Sequence, residues 1–513
     1  MGLISKYKKE ILLALGIVVV YLASRLVLLG NFPIFTDEAL YVRWTQIAAQ
    51  DANWRFISLT DGKQPMLIWF GMVFIKLIDD PLVAVRLVSV VSGLFTIAGL
   101  WLLTRELFKD RRAAFLSSIL YVAFPFAVVY DRLALYDSMV GAFSVWAIYF
   151  SVLLVRKIRL DIAFILGFVL AAGLLTKSSS IFSVYLLPGL LLLFNFKQKN
   201  WERKLIEATF LGIFAALMSL FMYNLLRLSP FFHIIAEKNT IFVYPIHEWI
   251  KHPLLQLQGN IIGLTHWVFT YLTPFYLFLI IVALFTNTKF IREKLVLLGY
   301  FLLPFLALAV FGSVIFPRFI FFMTLYLLPL AAMGLLAIIN LVNRFMIARK
   351  LNVSYAISPL IVLLFILYPA KVSLDFIFDP KSSAIVDADR NQYITQWPAG
   401  GGVAESVKFF KEQAAERKIF IGTEGSFGLM PYALEIYLAD NPNVKLKGYW
   451  PVGQEIPEEV LKASLEMPTY FIFYQPCIEC EYPGDPPDSW PLKLVSRFKK
   501  GDFAYYSVYK VEK

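Results

Sequence analysis

Cysteine, histidine and charged residues are scarce in this chain of 513 residues. Its two cysteines, Cys477 and Cys480, are too few for the disulfide framework of a small secreted module. Charged residues make up 17% of the chain and hydrophobic residues 59%, whereas soluble domains have about 25% and about 45–50%. These proportions exclude a soluble enzyme and a disordered scaffold, and they predict a polytopic α-helical membrane protein.

Eleven stretches are apolar over about the 20 residues that a helix needs to cross a membrane. They lie near 11–29, 81–104, 113–130, 138–155, 160–176, 180–195, 205–226, 262–285, 295–313, 319–341 and 353–370. The opening MGLISKYKKE is similar to the start of a signal peptide, but no small-residue cleavage site follows the first apolar stretch. We therefore expect about 11 transmembrane helices, the first of them retained.

The net charge of +11 reflects 48 basic and 37 acidic residues. Such an excess can indicate nucleic-acid binding, but in membrane proteins basic residues accumulate in cytoplasmic loops. Here they cluster in alternate loops, while the opposite short loops hold the single basic residues Arg132, Lys177 and Arg318. We therefore expect a multi-pass protein of the cell membrane with a cytoplasmic N-terminus and no nucleic-acid partner.

Two long regions are expected outside the membrane. The first loop, 30–80, includes the apolar segment 66–78, which is too short to span and suits an interfacial helix. The tail, 371–513, has the composition of a soluble protein, with alternating predicted strands and amphipathic helices. The predicted strands are 418–425 and 468–476, and the predicted helices are 403–417 and 456–466. We expect a transmembrane domain over 1–370 and an extracytoplasmic α/β domain over 371–513.

Ionisable residues recur at the external ends of the predicted helices, where apolar surroundings make charge costly. They are Asp37 and Glu38, Lys63, Asp131 with Arg132 and Asp137, Lys177, and Arg318. Carboxylates can accept a proton or bind a metal, and Lys and Arg can bind a phosphate. This combination suits attack by a hydroxyl group on a substrate whose leaving group is a membrane-anchored phosphate. Each residue alone also fits an ordinary role, such as snorkelling to the interface or a solvated ion pair.

The same residues resemble motifs of the GT-C superfamily, in the branch of protein O-mannosyltransferases and the lipid A aminoarabinose transferase. The similar elements are Asp37-Glu38 after the first helix, Lys63-Gln64-Pro65-Met66-Leu67, Arg132 with Asp137, Gly173-Leu174-Leu175-Thr176-Lys177 and Pro317-Arg318-Phe319. Ser178 replaces the glycine of the family's Leu-Thr-Lys-Gly element, and Phe319 replaces the tyrosine of its Arg-Tyr pair. The resemblance covers about 1–340.

The resemblance implies an inverting glycosyltransferase on the outer face of the membrane. It would move a sugar from a polyprenyl-phosphate donor to a hydroxyl acceptor on a protein, lipid or glycan. Asp37 matches the family's acidic base, and Glu38 and Asp137 are the other catalytic candidates. Lys63 matches the basic residue that faces the donor phosphate, although Gly62 stands where the family often has glutamate.

Three further basic residues are predicted to bind the donor phosphate together with Lys63: Arg132, Lys177 and Arg318. A poorly solvated site that releases a phosphate needs such charges, because the departing group becomes more negative.

The chain assigns no cofactor from its residues alone, but a divalent metal is one interpretation of its histidines. His233, His247, His252 and His266 lie in or beside the long external loop, where they could join a carboxylate as metal ligands or be ordinary surface groups. Cys477 and Cys480 favour a disulfide or two thiols over a zinc site, because no second pair exists.

Other classes of function predict different features. An oligosaccharide ligase or oligosaccharyltransferase would differ in donor and acceptor but not in architecture. A transporter of lipid-linked substrates would place ionisable groups near the membrane midplane and show repeated halves, and the sequence has neither feature. A receptor that binds a ligand with its tail would not need basic residues in the short external loops.

Overall fold

The computed structural model describes residues 7–349, 354–475, 486–502 and 504–512. The chain is mainly helical and has a five-stranded sheet near its C-terminus. It divides into two compact units. The first comprises Met1–Val27, Phe56–Leu67 and Leu87–Val386, and the second comprises Leu28–Arg55, Ile68–Arg86 and Asp387–Lys513.

Seven helical segments in the described part of the chain are long and apolar enough to cross a membrane. They are Pro81–Phe108, Asp137–Lys157, Trp201–Leu228, Leu257–Phe285, Thr288–Phe311, Pro317–Ala348 and Ile357–Phe378. The helices Arg111–Ala123 and Pro125–Asp131 meet at 63°, and as one bent span they raise the number to eight. Pro125 explains the bend, because proline has no N–H to continue the helical ladder.

The predicted number of eleven spans is not confirmed, although helices occur at every predicted place. Leu160–Thr176 and Ser178–Leu193 are apolar but shorter than the other spans. The first helix, Lys8–Leu26, carries charged residues at both ends, including Arg25. Hydropathy along a sequence detects apolar composition, whereas helix length depends on where each helix ends. The multi-pass helical architecture itself is as predicted.

The shorter helices do not change this architecture. In the first loop they are Thr36–Gln50 and Met66–Phe74, and the second of these has nine residues, which is too short to span. Elsewhere in the first 400 residues they are Ile181–Tyr185, Ile234–Phe242, Ile246–Lys251, Phe321–Thr324 and Asp387–Arg390. The predicted interfacial segment 66–78 is therefore a short helix in the structure.

A mixed sheet forms the core of the second unit. Its strands are β1 (Ile419–Glu424), β2 (Val444–Tyr449), β3 (Thr469–Phe473), β4 (Leu492–Lys499) and β5 (Tyr505–Val511). The order is β2-β1-β3-β5-β4, with β1 parallel to β2 and β3, and with β5 antiparallel to β3 and β4. The tail helices are Val403–Glu416, Tyr432–Leu438 and Glu458–Glu466. Buried aromatic residues, including Phe420, Phe471, Phe473, Trp490 and Tyr509, pack on this sheet.

The sequence predicted β1, β3 and two of the helices but not the remaining strands. β2 and β4 are the edge strands, and lysines interrupt their apolar pattern, as is common where an edge must not pair with another chain.

Part of the first loop belongs to the same unit as this sheet. Helix Thr36–Gln50 packs on helix Tyr432–Leu438, where Arg43 Nε lies 2.9 Å from Glu435 Oε2. Gln46 Nε2 donates to the carbonyl oxygen of Ile436 at 2.9 Å. The tail therefore supports the helix that begins beside Asp37.

Candidate active site

Glu38 is fully buried and forms an ion pair with Arg86, which is also fully buried. Both carboxylate oxygens accept from the guanidinium at 2.8 Å, and Oε2 also accepts from Phe35 N at 3.0 Å. Arg86 donates in addition to the carbonyl oxygens of Leu29, Phe32 and Pro33. Glu38 therefore fixes the start of helix Thr36–Gln50, and its charge is balanced in place.

Asp37 lies in the first turn of the same helix and is half-buried. The preceding residue, Thr36, donates to the carbonyl oxygen of Pro398 through its backbone N at 3.0 Å and through Oγ1 at 2.9 Å. The carboxylate of Asp37 thus stands on a helix start that is fixed by Glu38 on one side and by the tail on the other. A helix N-terminus also favours negative charge at this position.

Asp131 lies in a fully buried polar network of the first unit. Its carboxylate is 3.3 Å from Arg25 Nε and accepts hydrogen bonds from Tyr21, Tyr121 and Ser138 at 2.8–3.2 Å. Gly93 makes this network possible, because a Cβ at this position would lie 2.1 Å from Tyr21 Oη.

The sequence did not single out Arg25 or Arg86, although a charged residue inside an apolar stretch is the signal that would have found both.

Arg132 is buried against the end of the first helix. Its Nη1 donates to the carbonyl oxygens of Ser24 at 3.1 Å and Arg25 at 2.8 Å. A guanidinium in this position binds the carbonyls that a helix leaves unpaired at its C-terminus. Its predicted role at a donor phosphate stays a prediction.

Asp137 and Lys177 form an ion pair, with Lys177 Nζ 2.7 Å from Asp137 Oδ1. Asp137 is the first residue of helix Asp137–Lys157, and Lys177 follows the last residue of helix Leu160–Thr176. The side chain of Asp137 is 5% exposed and that of Lys177 is 25% exposed. Lys177 is therefore partly exposed at the surface of the unit, and the buried carboxylate of Asp137 holds its ammonium group in place.

Three of the four predicted phosphate-binding residues contact one cluster of phenylalanines, Phe242, Phe316 and Phe319. The ring centroids are 5.7 Å apart for Phe242 and Phe319, 5.6 Å for Phe316 and Phe319, and 6.5 Å for Phe242 and Phe316. The charged groups lie over separate rings: Lys63 5.4 Å from Phe242, Lys177 5.0 Å from Phe319, and Arg318 5.1 Å from Phe316. We call these six residues the cation cluster.

The segment 61–64 is held in place beside the cation cluster. Asp61 Oδ1 lies 2.6 Å from Lys238 Nζ, and Gln64 Nε2 donates to Ser178 Oγ at 2.7 Å. Gly62 has φ +66°, and a Cβ there would lie 2.7 Å from Lys238 Cβ. This contact explains why glycine, and not the glutamate of the family pattern, occupies the position.

The predicted metal-binding residues are not gathered into a site. Among the residues that the structure describes, no group of three His, Cys, Asp or Glu side chains could hold a metal ion. His233 Nδ1 lies 3.0 Å from the carbonyl oxygen of Pro230, and His247 Nε2 lies 3.5 Å from Glu248. Cys477 and Cys480 lie outside the described residues.

Comparison with known proteins supports the same family from sequence. Residues 62–225 match the family described as dolichyl-phosphate-mannose-protein mannosyltransferase. The undecaprenyl phosphate-alpha-4-amino-4-deoxy-L-arabinose arabinosyl transferase of Pseudomonas savastanoi pv. phaseolicola is 24% identical over 227 residues. That match covers 42% of this chain and 40% of the relative.

Solved structures extend the likeness to nearly the whole chain. ArnT from Cupriavidus metallidurans in the apo state has a TM-score of 0.55 at 16% identity, over 99% of this chain and 98% of that one. Its complex with undecaprenyl phosphate has a TM-score of 0.54 at 15% identity, over 98% of each chain. The oligosaccharyltransferase AglB from Archaeoglobus fulgidus has a TM-score of 0.52 at 13% identity, over 91% of this chain and 69% of that one.

These likenesses confirm the predicted resemblance to the GT-C superfamily of membrane glycosyltransferases. The chain has the fold of the ArnT and AglB structures.

The ion pair between Glu38 and Arg86 predicts a difference between two otherwise similar substitutions. Glu38→Gln leaves the buried Arg86 without its carboxylate, and breaking such a pair costs about 3–5 kcal/mol. We expect a clearly lower Tm for purified full-length Glu38→Gln in detergent. Glu435→Gln, which removes the partly exposed partner of Arg43, is the matched control and should cost about 0–1 kcal/mol. An unchanged Tm for Glu38→Gln would contradict the structural role of Glu38.

Proposed function

We propose that this protein is an inverting glycosyltransferase that takes its sugar from a polyprenyl-phosphate donor. The cation cluster carries this proposal, because three basic side chains from distant parts of the chain converge on one set of rings. Support comes from the ArnT fold, of which one structure holds undecaprenyl phosphate. The acceptor is proposed to be a hydroxyl group on a lipid, glycan or protein.

The cation cluster suits a phosphate that leaves during the reaction. Each cation lies over the face of a phenylalanine ring, and a charge acts more strongly where apolar groups replace part of the surrounding water. Lys177 is held by Asp137, so its ammonium group is positioned before the phosphate arrives. We propose that Lys63, Lys177 and Arg318 bind the donor phosphate, and that Arg132 assists them.

Asp37 is the proposed general base. Inversion requires a carboxylate that accepts the proton of the acceptor hydroxyl as this group attacks the anomeric carbon opposite the phosphate. Glu38 serves the helix start, because Arg86 binds both of its carboxylate oxygens, and Asp137 holds Lys177 in place. Asp37 is half-buried, and it is the residue that matches the acidic base of the family motif.

An oligosaccharyltransferase is the second candidate. It is favoured by the likeness to AglB, which was determined with an inhibitory peptide and a dolichol-phosphate. Such an enzyme would use an oligosaccharide donor and a peptide acceptor on the same architecture. Offering peptides, glycans and lipid acceptors in parallel with labelled donors distinguishes the two candidates.

Removing one cation from the cluster should slow the reaction strongly. We expect Lys63→Met and Arg318→Met to lower kcat by about 10²–10³, by analogy with the loss of one oxyanion donor. The measurement is the release of undecaprenyl phosphate from a panel of undecaprenyl-phosphate-linked sugars by purified protein. Lys289→Met is the matched control, because Lys289 also lies over a phenylalanine ring, Phe290, outside the cluster. Activity within threefold of wild type for both variants would contradict the phosphate site.

Substitution of the base should affect turnover but not donor binding. Asp37→Asn preserves shape and removes the proton acceptor, so turnover at saturating donor should nearly vanish. Binding of undecaprenyl phosphate, measured by calorimetry, should stay close to wild type. Asp137→Asn is the informative comparison, since loss of its ion pair with Lys177 should weaken donor binding as well. If Asp37→Asn turns over normally, the base is Asp137 or Glu38.

We also propose the topology of eleven spans, with a cytoplasmic N-terminus and the tail 371–513 outside. Glu412 is exposed on helix Val403–Glu416, so Glu412→Cys offers a reporter for the tail. In a Cys477→Ser, Cys480→Ser background, we expect a membrane-impermeant maleimide to label it in intact cells. Arg349→Cys, at the end of a predicted cytoplasmic loop, should label only after lysis. The reverse pattern would overturn the topology.

A further inference from the structure

A short segment of the tail, Trp397–Gly400, pairs with the residues that precede Asp37. Gly400 N donates to the carbonyl oxygen of Ile34 at 2.7 Å, and Phe35 and Ala399 form an antiparallel β-bridge. Pro398 accepts the two hydrogen bonds from Thr36 described above. Hydrogen bonds to this segment of the tail therefore hold the residues that lead into the helix of Asp37.

Lys500 binds the same segment, Trp397–Gly400, through two of its carbonyl groups. Its Nζ donates to the carbonyl oxygen of Ala399 at 2.9 Å and to that of Trp397 at 3.1 Å. Lys500 is 3% exposed and Ala399 is fully buried. A buried lysine that binds two carbonyl groups is costly unless those bonds are made. The segment is thus clamped between the end of β4 and the first loop.

The charge state of Lys500 does not interrupt these bonds. Burial lowers the pKa of the Lys500 ammonium to about 7, and nearby Glu424 opposes the shift. The ring of Tyr474 lies 5.6 Å from Nζ. A neutral amine keeps two N–H groups, which is the number that two carbonyls require.

We propose that Lys500 is a positioning residue for Asp37: through Trp397–Gly400 it fixes the backbone on which the carboxylate of Asp37 stands. This rests on the proposed function of Asp37 as the base. Lys500 would not touch the substrate. Its contribution is to the position of Asp37. Such a contribution can matter for the rate, because a misplacement of about 1 Å in a reacting group can cost about 10²-fold.

The test separates positioning from binding. Lys500→Met keeps the unbranched apolar stem of the side chain but has no donor. We expect kcat for undecaprenyl phosphate release to fall about 10–100-fold, with the KM for the donor unchanged, because the cation cluster is intact. Lys500→Arg retains donors and should restore part of the lost kcat. Lys499→Met, at the exposed neighbour, is the control and should leave kcat unchanged.

A double-mutant cycle tests whether Lys500 acts on the helix of Asp37 through the segment Trp397–Gly400. Thr36→Val removes the Oγ1 bond to Pro398 and leaves the sheet untouched. If both residues act through the same segment, the double variant Lys500→Met, Thr36→Val should lose little more kcat than the worse single variant. Multiplicative losses would overturn the proposal. Should Lys500→Met be recovered unfolded, an unchanged kcat for Thr36→Val would overturn it.

A structural readout accompanies the kinetics. Hydrogen exchange of the amides of Thr36 and Gly400 in the full-length protein should accelerate in Lys500→Met and not in Lys499→Met. Unaltered exchange with lowered kcat would contradict a route through this segment. The result for Asp37→Asn keeps the two proposals apart. If Asp37→Asn abolishes turnover and Lys500→Met does not lower it, only the positioning role fails.

Discussion

The cost of an unpaired charge in an apolar interior determines where the ionisable residues of this chain lie. Each of the buried carboxylates Glu38, Asp131 and Asp137 lies against a basic partner. Removing an ion from water costs several kcal/mol unless a partner and hydrogen bonds replace the water. The pairs therefore fix several helix ends, including the one that bears Asp37.

The same constraint separates residues that are neighbours in sequence. Glu38 pairs with Arg86 and stabilises the helix start. Its neighbour Asp37, on the same turn of the helix, is the proposed base. Arg132 turns to the carbonyls of the first helix, whereas Lys177 and Arg318 lie over rings of the cation cluster. Phe319, where the family has tyrosine, contributes its ring face to Lys177, for which no hydroxyl is needed.

Residue type and position along the chain together predicted part of the candidate site. The ionisable residues at the predicted external helix ends led to the GT-C resemblance, and three of the basic ones meet at one cluster in the structure. Arg25 and Arg86 were missed because they lie within predicted spans, where only their three-dimensional partners explain them. Phe242, on a loop helix far from Lys63 in sequence, could not be joined to the site by any local pattern. The link from Lys500 to Thr36 was hidden for the same reason, since it joins residues near opposite ends of the chain through the segment Trp397–Gly400.

The most direct test of the central claim is the position of a bound lipid phosphate. A cryo-electron microscopy map of the full-length protein with undecaprenyl phosphate would show it. We expect density for the phosphate within hydrogen-bonding distance of Lys63, Lys177 and Arg318, beside Phe242, Phe316 and Phe319. A phosphate bound elsewhere, with these three side chains unchanged and out of reach, would contradict it.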